Sequence, residues 1–181
     1  MNRFPEDFSK MLSARGRRVL AGEESAVCGS VGRDRFMTAG GLFDAETARA
    51  VPALLDRCYG AQLAEMVQPL PAANAGTSPH EELLPKTGRV MTSPFDGTGE
   101  APASPDDSGL RTMLRSGAYL EFVEALCGYA VKGPESMQVL CYRPGDYSGP
   151  HTDHIPQHAD SRGGYTDIHF TFCSSGAKRQ L

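Results

Sequence analysis

The amino-acid sequence predicts an α+β fold in which helices support a group of β-strands. Apolar residues recur at helical spacing after Asp44 and again over residues 108–127. Two runs typical of β-strands follow, at residues 137–143 and from Tyr165 to Cys173. Helices in the first part of a chain and strands in the second part are typical of this fold class.

Length and composition are those of a single globular domain. The chain has 181 residues, of which 40% are hydrophobic, and a formal net charge of −4, which gives no indication of nucleic-acid binding. No apolar run approaches the length of a membrane span. The five cysteines are scattered and no secretory signal precedes them, so we expect reduced thiols and a cytoplasmic location.

The first part of the chain contains an expected leader and a helix. Residues 1–33 show no clear apolar periodicity, and we expect a mobile leader that buries little surface before a domain over residues 34–181. Residues 35–38 resemble a short strand. Asp44 is a suitable N-cap for the helix that follows, and Pro52 predicts either a kink in that helix or its true start. The apolar positions of this helix are Ala48, Val51, Leu54, Leu55, Cys58 and Met66.

Residues 68–109 differ in composition from the rest of the chain. They hold seven of the thirteen prolines, and only residues 89–93 resemble a strand. A loop of this length in a compact domain is either disordered or functional, for instance as a lid over a site. We therefore expect a mobile Pro- and Gly-rich insertion.

The second half is predicted to begin with a helix over residues 108–127, which Gly128 is placed to end. The strand at 137–143 reads as buried, and Pro144-Gly145 should turn the chain after it. The last strand should be amphipathic, with an apolar face formed by Ile168, Phe170 and Phe172.

His151 and Asp153 follow the turn and indicate a metal site. Side chains separated by one residue on an extended segment face the same way, so the imidazole and the carboxylate can enter one coordination sphere. Iron(II) oxygenases bind their metal through two histidines and one carboxylate and leave the opposite face open. The alternative is a polar surface loop in which the two side chains hydrogen-bond to each other. The local sequence favours the metal.

The segment Tyr142–His154, YRPGDYSGPHTDH, resembles the motif of the 2-oxoglutarate- and Fe(II)-dependent dioxygenases, most closely their prolyl 4-hydroxylase-like branch. In that family a strand ending in Tyr leads through Pro-Gly-Asp to His-x-Asp. The resemblance covers residues 105–173 clearly and residues 35–67 loosely. It implies a double-stranded β-helix, or jelly roll, with Fe(II) bound by His151 and Asp153. It also implies that Tyr142 reaches 2-oxoglutarate, although an ordinary strand aromatic is an equal alternative.

The resemblance implies a hydroxylase that couples oxidative decarboxylation of 2-oxoglutarate to hydroxylation of a C–H bond, with ascorbate as an optional reductant. The substrate would be a small molecule or a peptidyl residue, with neither a nucleic acid nor a membrane as partner. The family also uses a second, distal His and a later Arg or Lys. We assign none of His154, His158 and His169 as this ligand, and we read His169 as a hydrogen-bonded interior or surface residue. We therefore expect a partial jelly roll that the chain does not complete.

Two other functions fit the same residues. One is a truncated, non-catalytic family member that acts as a binding or assembly module. The other is a zinc site built from His151, Asp153 and a further His. The zinc site is the weaker alternative, because no other His or Cys lies at a familiar zinc spacing.

Overall fold

The computed structural model of the chain describes residues 1–68, 86–94, 108–134, 136–146 and 166–173. Mixed helices and a small sheet confirm the predicted combination of α and β structure. A 3-10 helix spans Phe8–Met11. The α-helices are α1 (Ala14–Leu20), α2 (Ser30–Asp34), α3 (Ala45–Tyr59), α4 (Leu110–Leu114) and α5 (Gly117–Cys127). The strands are β1 (Ala64–Gln68), β2 (Lys86–Pro94) and β3 (Ser136–Cys141).

The described residues divide into two compact units. The first unit comprises chiefly residues 1–61 and 108–134 and contains the five α-helices. The second comprises chiefly residues 62–68, 86–92 and 138–146 and contains most of the sheet. None of the helices within the described ranges is long and apolar enough to cross a membrane.

The core of the helical unit forms around Phe8. This side chain is 0% exposed, and its ring lies 5.2 Å from Phe122, 5.3 Å from Tyr119 and 6.0 Å from Phe43, measured between centroids. The main-chain N–H of Phe8 also donates to Ser116 Oγ at 3.3 Å. The 3-10 helix is therefore held against the start of α5 by ring packing and by a polar contact.

The expectation that residues 1–33 bury little surface is wrong. Helix α2 continues through the expected boundary at residue 33. The main-chain N–H of Phe4 donates to the carbonyl of Ser108 at 2.8 Å, which ties the first residues to the second half of the chain. The sequence shows no period here because the helices are too short to repeat an apolar pattern over several turns. The buried apolar residues of this segment are Phe4, Phe8, Met11, Leu12, Val19 and Val27.

Helix α3 begins where its capping residue predicts. The Asp44 carboxylate accepts hydrogen bonds from the N–H groups of Glu46 and Thr47, and these hydrogen bonds lower the pKa of Asp44. Pro52 lies inside the helix and does not mark its start. Met66 lies in β1, beyond the end of the helix.

The predicted strand at residues 35–38 is wrong. Arg35 ends α2 with a positive φ of 63°, a left-handed conformation that an extended strand cannot include. Phe36 follows it and is 76% exposed, so this apolar side chain contributes nothing to the core.

The predicted helix over residues 108–127 is two helices. Ser116 has an extended conformation between them, and its hydroxyl accepts a hydrogen bond from the N–H of Tyr119 as the N-cap of α5. The apolar pattern continues through this break, which is why the sequence predicts one helix. Gly128 ends α5 in the left-handed conformation, with φ 76°, as predicted.

Strand β2 lies between β1 and β3 in the sheet. It pairs antiparallel with β1, and Met66 faces Gly88 across the pair. The predictions of strands at 89–93 and 137–143 are confirmed, with β2 longer and β3 shifted toward the N-terminus. The rest of the predicted insertion, residues 69–85 and 95–107, lies outside the described residues.

Residues 166–173 do not form the predicted strand. The predicted alternation is nevertheless present, since Ile168, Phe170 and Phe172 are half-buried and the residues between them are exposed. The ring of Phe172 lies 5.1 Å from that of Phe43. Alternating burial shows which side of the segment faces the protein, and this does not require a strand ladder.

The burial of Tyr119 predicts a loss of stability at alkaline pH. Burial, with a smaller contribution from Cys127, raises the pKa of Tyr119 to about 12 from 10.0. Between these values the unfolded chain releases a proton that the folded chain retains, so stability falls as pH rises. We expect Tyr119→Phe to remove about 2 kcal/mol of this loss. Urea unfolding of both proteins near neutral pH and at about pH 11.5 measures the difference. An equal alkaline loss in both proteins would contradict the assignment.

Candidate functional site

The predicted iron ligands, His151 and Asp153, lie outside the described residues, as do His154 and His158. The described part of the candidate site is the approach to them: the end of β3, Tyr142, the turn over residues 143–146, and the adjacent segment of β2. All of these belong to the second unit.

The Pro144-Gly145 turn predicted from the sequence is confirmed. The N–H of Asp146 donates to the carbonyl of Arg143 at 2.9 Å, which closes the turn. Gly145 has φ 93°, as the third position of a type II turn requires, and Pro144 precedes it. The proline restricts φ and the glycine accepts the left-handed conformation, so the sequence itself favours this reversal.

The side chain of Asp146 adds a second hydrogen bond across the turn. Its Oδ2 atom accepts a hydrogen bond from the N–H of Arg143 at 2.8 Å. The main-chain N–H and the carboxylate of Asp146 thus bind both main-chain polar groups of Arg143 and hold the turn closed. Sequence reasoning placed Asp146 in the motif without finding this role.

Tyr142 connects β3 to the turn and is 45% exposed. Along β3, Met137 and Val139 are buried while Gln138 and Leu140 are exposed. Tyr142 continues the exposed series, as the two-residue period of a strand requires. One face of the strand end is therefore packed, and the tyrosine lies on the other.

The ring of Tyr142 lies against the backbone of β2 at Gly88. A Cβ atom at Gly88 would lie 3.3 Å from Cε1 and 3.4 Å from Cδ1 of Tyr142. Gly88 is itself buried, although Tyr142 beside it is half exposed. Sequence reasoning missed this contact because it joins two distant segments. The only signal for it in the sequence was Gly88 itself, a glycine directly before the strand-like residues 89–93.

The described residues do not form a metal site of their own. Residues 1–68, 86–94, 108–134, 136–146 and 166–173 contain no group of three or more His, Cys, Asp or Glu side chains suited to a metal ion. His169 is exposed, so of the two predicted placements, interior or surface, the structure supports the surface. All five cysteines are free thiols. The convergence of His151, Asp153 and Tyr142 on one cavity stays a prediction.

Comparisons of the chain with protein-family models, with curated proteins and with solved structures give no match. The case for a function therefore comes from the residues of this chain and from the described geometry of the segment that leads to His151.

Proposed function

We propose that this chain is a 2-oxoglutarate- and Fe(II)-dependent dioxygenase domain that hydroxylates a C–H bond in a small-molecule or peptidyl substrate. The observation that carries the proposal is the motif from Tyr142 to His154. Its described beginning has the parts that the motif needs: a strand, a tyrosine at the strand end, and a closed Pro-Gly-Asp turn. The proposal includes the partial jelly roll that the resemblance implies.

The donor chemistry of the predicted ligands suits Fe(II). His151 offers an imidazole nitrogen and Asp153 a carboxylate oxygen, and these are two of the three donors of a facial triad. Bound iron, together with 2-oxoglutarate and O2, supplies the oxidising chemistry, which produces succinate, CO2 and the hydroxylated substrate.

The contribution of the protein residues is to hold the predicted ligands and the Tyr142 hydroxyl in position. The turn closed by Asp146 lies directly before the segment that carries His151 in the sequence. Tyr142 directly follows β3, and its ring packs against β2 at Gly88. The side chain that carries the hydroxyl is therefore held in place. A tyrosine hydroxyl held in this way can donate a hydrogen bond to a carboxylate of the co-substrate. The five free thiols support a reducing compartment such as the cytoplasm.

A non-catalytic binding or assembly module is the second candidate. It is favoured by the packed helical unit around Phe8, whose buried aromatic rings include none of the predicted site residues.

The test that separates the two candidates is turnover of 2-oxoglutarate. We expect iron-loaded protein with O2 and ascorbate to convert 2-oxoglutarate to succinate and CO2 at a low rate, with ascorbate supplying the two electrons that a hydroxylated substrate would otherwise supply, and we expect Asp153→Ala to abolish this reaction. The matched control is Asp160→Ala, which removes a carboxylate outside the motif. A folded, iron-loaded chain without turnover would favour the binding module, and turnover retained by Asp153→Ala would overturn the proposed site. Turnover lost in His169→Ala would identify His169 as the third ligand.

A further inference from the structure

We propose that Gly88 is a positioning residue that sets the place of Tyr142 and thereby the affinity for 2-oxoglutarate. This inference rests on the function proposed above. It assigns to the central strand of the sheet a role in co-substrate binding that the motif itself does not contain.

The contact between the two residues is close enough to depend on the missing side chain. A Cβ at Gly88 would lie 3.3 Å from Tyr142 Cε1 and 3.5 Å from the carbonyl oxygen of Cys141. Ordinary contacts between carbon atoms begin at about 3.5 Å. A methyl group at this position would therefore displace the ring from β2 by a few tenths of an ångström.

Glycine is otherwise a poor residue for this strand. It weakens a strand because it loses more conformational freedom on folding than other residues and has no side chain to pack. Its presence in a central strand commonly marks a place where another group approaches the backbone. Here that group is the tyrosine ring, which covers Gly88 and leaves it buried.

Two roles for this contact make different predictions. If the ring only covers the backbone, Gly88→Ala should lower stability and leave co-substrate binding unchanged. If Gly88 positions the ring, Gly88→Ala should raise the KM for 2-oxoglutarate about tenfold, because small displacements of a binding group have large effects. The kcat at saturating 2-oxoglutarate should change much less, since the co-substrate can still fill the displaced site.

The experiment is a double-mutant cycle in the iron-loaded protein. It compares Gly88→Ala, Tyr142→Ala and the double variant, with Gly133→Ala as control, since a Cβ at Gly133 meets no atom within 4 Å. We expect Gly88→Ala to have no further effect on KM once the tyrosine is absent, and Gly133→Ala to behave as the unaltered chain. Tyr142→Phe keeps the packed ring, removes the hydroxyl and should also raise KM, which retains a test if Gly88→Ala fails to fold.

The packing itself is measured separately by fluorine NMR of protein labelled with 3-fluorotyrosine. The Tyr142 resonance, identified by its loss in Tyr142→Phe, should shift in Gly88→Ala and stay in place in Gly133→Ala. An unchanged KM in Gly88→Ala or in Tyr142→Phe would overturn the inference and leave the proposed function standing. An unaltered chain that binds iron but neither binds nor turns over 2-oxoglutarate would overturn both.

Discussion

Replacing Phe8 by alanine is expected to lower the free energy of unfolding by about 3–5 kcal/mol, as large-to-small changes of a buried aromatic residue do. The side chain is 0% exposed, and three aromatic rings surround it. Its removal leaves a cavity between the 3-10 helix and α5, which the rings of Tyr119 and Phe122 cannot fill without moving. Urea denaturation followed by circular dichroism measures the change.

Phe36→Ala is the matched control for this experiment. It removes the same side chain from a position that is 76% exposed, so the free energy of unfolding should change by no more than about 0.5 kcal/mol. Similar effects of the two substitutions would show that the first residues of the chain do not belong to the core. Limited proteolysis is a second measurement of the same packing, because residues 4–20 should resist cleavage as long as α5 is folded.

The second large effect is expected at the proposed iron site. Asp153→Ala should lower the affinity for Fe(II) by at least about 100-fold, because even the loss of groups that only orient metal ligands costs 10–100-fold. The helical content should stay the same, since the packed helices lie in the first unit of the chain. Anaerobic Fe(II) titration of Asp153→Ala, with Asp160→Ala as control, measures the difference. Equal iron binding by the two variants would remove Asp153 from the ligand set.

Features that depend on a few neighbouring residues could be predicted from the sequence. Asp44 as a helix cap, Gly128 as a helix end and the Pro144-Gly145 turn were each placed at the right residue. Each carries its own conformational preference: a side chain that accepts backbone N–H groups, a residue that tolerates positive φ, or a ring that fixes φ. The alternation of burial over residues 166–173 belongs to the same class.

Features that depend on distant contacts could not be predicted in this way. The first residues of the chain lack a repeating apolar pattern. Their folded structure depends on contacts of Phe4 with Ser108 and of Phe8 with α5. The placement of Tyr142 against Gly88 joins two strands far apart in the sequence. Periodicity reports which face of a segment is apolar, and it does not report which segment covers that face.

Anaerobic equilibrium dialysis of the purified chain against Fe(II), with and without 2-oxoglutarate, tests the proposed iron site most directly. We predict stoichiometric Fe(II) binding that is lost in the His151→Ala/Asp153→Ala double variant. We also predict that 2-oxoglutarate binds only in the presence of the metal. Iron binding that the double variant retains, or 2-oxoglutarate binding that is indifferent to Fe(II), would contradict the proposed dioxygenase site.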